Sequence, residues 1–101
     1  MKNYEEEERK EIVVIDVSLV MTSKELHQLL KKELEFPSFY GHNWPAFWDA
    51  ITGLVQLPKK IIFVGWDNFS KNLPMDAEFL KKRLEDKNKM YPSTLVEVEY
   101  R

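Results

Sequence analysis

The strongest chemical signal in this chain is a crowd of aromatic side chains that closes on an acid. Six of its thirteen aromatic residues fall between Phe36 and Trp48, namely Phe36, Phe39, Tyr40, Trp44, Phe47 and Trp48, and Asp49 follows directly. Between Glu33 and Pro58 there are three carboxylates, Glu33, Glu35 and Asp49, and neither Lys nor Arg. Aromatic rings are enriched in interface hot spots and acids complement a cationic groove, so this window suits a protein partner with a basic site. The competing reading folds the loop rings inward and leaves Asp49 as a solvated helix residue; scattered surface aromatics are common, and composition alone leans that way. Nucleic-acid binding fits less well, because stacking platforms need cations beside them to neutralise phosphates and the window has none. The cations that cluster, Lys31 with Lys32 and Lys81, Lys82 and Arg83, have acids nearby and read as solvated helix faces.

Other chemistries find little support. His27 and His42 are the only histidines and lack a HExxH spacing; His27 reads as a helix-surface or half-buried residue. No serine sits in a GxSxG elbow, and neither a P-loop nor a GxGxxG fingerprint occurs. Glu85 and Asp86 are adjacent on a predicted helix and diverge by about 100°, so they are no directed acid and base pair. The absence of cysteine excludes disulfides, thiolate metal sites and a cysteine nucleophile together. The expectation is a protein without catalytic residues, metal ligands or cofactor.

The elements that must position the window are legible from apolar spacing. A chain of 101 residues, 44% apolar, can enclose one modest core, so a single domain is expected over residues 12–101, with residues 1–11 as an acidic, solvated extension. Lys plus Arg total 15 against 17 acids, an ordinary soluble surface. Glu5 to Glu8 stand where a secretory signal would be basic and then apolar, and no run of 18 apolar residues exists, so a cytoplasmic protein with no membrane span is expected. IVVIDVSLV, residues 12–20, reads as a strand covered on both faces. Thr22 with Glu25 forms a capping-box pair ahead of Leu26, Leu29, Leu30 and Leu34, a helix that stops at Pro37. Asn43 is a helix start, and the next helix ends near Gly53 with Trp44, Phe47 and Ile51 toward the core and Pro45, Asp49 and Thr52 outward, Trp48 at the flank. Pro45 biases Trp44 away from helical geometry, which would alter that cap. KKIIFVG after Pro58 predicts a second buried strand, Asp67 a capped helical turn through Leu73, residues 76–89 a helix with Phe79, Leu80 and Leu84 as its apolar positions, and TLVEVEY from Thr94 a wetter edge strand. The order β-α-α-β-α-α-β predicts an α/β fold, a three-stranded parallel sheet packed with helices.

The segment FYGHNWPAFWDAITG, Phe39 to Gly53, resembles the aromatic-Tyr-Gly-x-Asn-x-x-Ala-x-Trp-Asp-x-hydrophobic-Thr-Gly stretch of the barstar family of ribonuclease inhibitors. LHQLLKKELEFP, Leu26 to Pro37, is similar to the family's first helix, and the likeness spans about residues 12–100. The resemblance implies an intracellular, antitoxin-like bacterial protein, monomeric when free. It would bind, one to one, a secreted guanyl-preferring ribonuclease of the barnase type and block its active site. It implies a carboxylate at Asp49 in the place of substrate phosphate, contact or supporting positions at Phe39, Gly41, His42, Asn43, Trp48, Thr52 and Gly53, and a last-helix acid at Asp86 or Glu85, Asp86 being favoured. Three departures stand out: Phe39 keeps a ring but lacks a tyrosine hydroxyl, Pro45 replaces a second interface Asp, and Leu54 replaces a Trp. Losing an acid weakens attraction to a basic nuclease, which motivates an alternative: a diverged binding or regulatory module with a non-ribonuclease protein target.

Overall fold

The computed structural model describes residues 9–101; the acidic run of residues 1–8 lies outside the described residues. Three strands, β1 (Ile12–Asp16), β2 (Lys60–Val64) and β3 (Glu97–Tyr100), form one parallel sheet in the order β1-β2-β3. The first crossover carries α1 (Ser23–Glu33) and α2 (Trp44–Asp49), the latter continuing as a π-helical turn over Ala50–Leu54. The second carries α3 (Trp66–Asn72) and α4 (Pro74–Met90), then a 3-10 turn at Pro92–Thr94. The predicted order and parallel sheet are both present. Among the described residues, no helix is long and apolar enough to cross a membrane.

Among the described residues the helices cover one face of the sheet, which corrects the expectation for the first strand. Register pairs Ile15 with Phe63 and Phe63 with Tyr100, and these face the helices with Val13, Ile61 and Val98. The alternate rows, Ile12 with Lys60 and Glu97, and Val14 with Ile62 and Glu99, lie on the other face, where of these six only Ile62 on the central strand is buried. Ile12 and Val14 are each 54% exposed. β-branched density marked a strand but could not say how many of its faces are packed.

Element ends show where local hydrogen bonds overrule apolar runs. β1 stops at Asp16 because its carboxylate accepts the N–H of Ser18 at 2.9 Å, turning the chain; the Ser18 side chain and then this N–H lower the Asp16 pKa. The Thr22 and Glu25 capping box is fully formed at the start of α1. α3 is capped by Gly65 rather than Asp67, which lies in its first turn. Gly65 has φ +76, and a Cβ there would lie 2.3 Å from the Cβ of Ser18, so a close approach and a left-handed turn both require glycine. β3 begins only at Glu97; just before it, the Asn88 amide pairs with both backbone groups of Val96 at 2.8 Å, clamping α4 to the entering strand.

Candidate functional site

The aromatic window is a loop and helix pinned from behind. The turn at Pro37 to Tyr40, closed by Tyr40 N–H donating to Pro37 O at 3.0 Å, sends alternate rings in opposite directions. Phe36 and Tyr40 are buried, whereas Phe39 is 73% exposed at the tip. Tyr40 packs on Phe36 with ring centroids 4.8 Å apart and shares a 2.6 Å hydrogen bond with Nδ1 of His27. His42 has φ 55, and its Nδ1–H donates to the Tyr40 carbonyl at 2.9 Å, holding the loop in a tight return. Gly41 keeps that return close: a Cβ would stand 3.2 Å from the Cβ of Ala46.

Asn43 caps α2, its side-chain oxygen accepting Ala46 N–H at 2.7 Å while its amide donates to Gly41 O at 3.1 Å. Trp44 is the first helical residue despite the proline that follows. Pro45 falls in the first turn, where a missing N–H costs no helical bond. Asn43→Ala should therefore destabilise the protein by about 1 kcal/mol, read as a lower urea midpoint; an unchanged midpoint would show that the cap contributes nothing. The Trp44 indole N–H donates to Asp76 at 3.0 Å, and Ser23 donates to the other oxygen of the same carboxylate. One acid on α4 thereby anchors both α2 and the start of α1. Sequence offered no sign of this, since Trp44 and Asp76 are 32 positions apart.

His27 is a correction to the sequence reading. It is 2% exposed rather than on a helix surface, sandwiched between the Tyr40 hydroxyl and the Trp44 ring at 4.7 Å. Burial pushes its pKa below 6.5, nearby Asp76 opposes that shift, and His42 adds to it. The folded protein then binds fewer protons here than the unfolded chain, so stability rises with pH. The contribution is expected in full above about pH 6.5 and to be lost as pH falls from there through the lower folded value. Urea titrations across that window check it: His27→Gln should flatten the dependence, and identical profiles for parent and variant would refute the assignment.

On the outward side of α2 the predicted residues divide into two groups. Pro45 and Trp48 share a groove of about 330 Å³ with Trp44, Arg83 and Asp86, and Trp48 and Asp86 continue into a second hollow with Lys89 and Met90. The π turn, in which Val55 N–H donates to Ala50 O at 3.1 Å, carries Thr52, Gly53 and Leu54 away to a separate cleft shared with Glu33, Glu35 and Lys10. Thr52 also donates to the Trp48 carbonyl at 2.7 Å, fixing the junction of the two. Asp49 stands exposed between them and makes no hydrogen bond or ion pair among the described residues.

Electrostatics differ from the one-dimensional picture. Glu35 pairs with Lys10, and Asp86 is engaged by Lys82 at 2.9 Å and Arg83 at 3.4 Å, which lower its pKa. Cations absent from the sequence window thus reach Trp48 from α4, while Asp49 keeps its charge unopposed among the described residues. No three His, Asp or Glu side chains among those residues could hold a metal ion.

Taken together, the fold and this face define a small α/β protein that presents an acid and aromatic rings from one rigid loop and helix. Residues 10–100 match the family model described as "Barstar (barnase inhibitor)", and the chain belongs to that family. A relative from Bacillus subtilis (strain 168), named "Putative ribonuclease inhibitor YrdF", is 34% identical over 74 residues, covering 73% of this chain and 74% of the relative.

Proposed function

We propose that this protein inhibits a secreted ribonuclease of the barnase type by seating the Asp49 face in the enzyme's active site, one inhibitor to one enzyme. The observation that carries the reading is Asp49 itself: an exposed carboxylate with no partner among the described residues, next to half-buried Trp48 on a capped helix that follows the exposed ring of Phe39. Such a carboxylate can occupy the place of a substrate phosphate among cationic catalytic groups, where charge-assisted hydrogen bonds become strong once water is expelled. Phe39, Gly41, His42 and Asn43 shape the loop side of the contact. Trp48 with Pro45 forms the apolar wall, Asp86 lies at the far edge, and Thr52 and Gly53 border the second cleft. The family match and the name of the Bacillus relative agree with this role.

One observation favours a second reading, a non-ribonuclease protein target. Beyond Trp48 the face carries Arg83, Lys82 and Lys89 beside Asp86, and Pro45 offers no charge, so a uniformly basic partner meets repulsion there. Titration calorimetry against a panel of small basic microbial ribonucleases, with activity followed in parallel, separates the two. Stoichiometric loss of activity supports inhibition; binding to none of them shifts the assignment to another protein target.

A further inference from the structure

Two cations outside the recognition face, one buried and one half-buried, meet at a shared carbonyl. Lys87 on α4 is 4% exposed, and among the described residues its ammonium bonds only to Thr94, through the carbonyl and, at 3.1 Å, the hydroxyl. Arg9 reaches the same carbonyl. Its Nε donates to Leu57 O at 3.0 Å, and one terminal nitrogen serves the carbonyls of Pro58, Thr94 and Leu95 at 3.1, 3.3 and 3.0 Å. The two side chains therefore share an acceptor, and no carboxylate of the described residues pairs with either. Burial and then the charge of Arg9 push the Lys87 pKa down, as expected for a desolvated cation near a like charge. Arg9 and Lys87 both line a cavity of about 90 Å³ whose wall includes Gln56, Tyr91 and Thr94 and, among the described residues, no acid.

We propose that this cavity binds a small inorganic oxyanion of the phosphate or sulfate type. Its volume holds several waters or one tetrahedral anion, and excludes a base with its sugar. Binding capacity remains: the second terminal nitrogen of Arg9 makes no hydrogen bond among the described residues, and the Lys87 ammonium has three protons against two acceptors on Thr94. An anion seated there removes the repulsion between the cations and gains charge-assisted hydrogen bonds in a partly desolvated site. Ile51, Thr52 and Val55 complete the wall, so occupancy also braces the π turn that follows Asp49.

The test is thermal unfolding of the full chain in sodium phosphate against sodium chloride of equal ionic strength. The parent should gain about 5 °C in phosphate once its concentration is roughly four times the dissociation constant. Lys87→Met should lose the gain. Saturable amide shifts at Thr94 and Gln56 in the parent give a second readout that needs no variant. Equal unfolding temperatures in the two salts, or an undiminished gain in Lys87→Met, would overturn the proposal. So would a gain that appears only after Glu5 to Glu8 are replaced by Gln, because the chain's own carboxylates would then be the occupants.

Discussion

Asp49→Ala is expected to weaken partner binding by about a hundred- to several-thousand-fold, the ordinary consequence of leaving desolvated cations unpaired at about 3–5 kcal/mol. The same change should move folding stability by no more than about 0.5 kcal/mol, because the carboxylate is exposed and has no partner among the described residues. Asp49→Asn keeps the shape and removes the charge, so it should lose nearly as much affinity if phosphate mimicry is the mechanism. Calorimetric affinity and a urea midpoint for each variant decide the matter. Retained affinity in Asp49→Ala would remove Asp49 from the site, and retained affinity in Asp49→Asn alone would make shape rather than charge its contribution.

Phe47→Ala, two positions earlier on the same helix, should show the opposite signature. Phe47 is 0% exposed and packs edge-on against Trp44 at 5.2 Å and Phe36 at 5.9 Å. Removing a fully buried ring costs about 3–5 kcal/mol, a large share of the roughly 5–15 kcal/mol that holds a domain folded. For a chain of this size the unfolding temperature should drop by about 12–40 °C. Below that temperature the folded fraction should still bind its partner through Asp49 and Trp48. A drop of only a degree or two would mean that the helix is not seated on the core through Phe47, and the placement of Asp49 outward would fall with it.

The contrast between these neighbours was legible before any coordinates. The 3.6-residue period puts Phe47 and Ile51 on one side and Asp49 on the other, and both assignments hold in the structure. The capping box of α1 and the Asn43 cap were equally readable, because each is a bond between groups three residues apart. Asp67 was read as a cap for the same local reason, but the close approach of Ser18 to Gly65 decided that helix start from across the sheet.

The sequence alone determined the order of the elements, the parallel sheet, the aromatic loop and helix, and the outward acid, since apolar periodicity and short-range hydrogen bonds are encoded within a few residues. Only the tertiary structure decided which face of the sheet stays open and that His27 is buried behind Tyr40. It alone brought Asp76 under Trp44, supplied Trp48 with cations from α4, and left Arg9 and Lys87 around one cavity. Each of these depends on side chains many positions apart meeting in space, where burial and charge are set by neighbours that the linear order does not name.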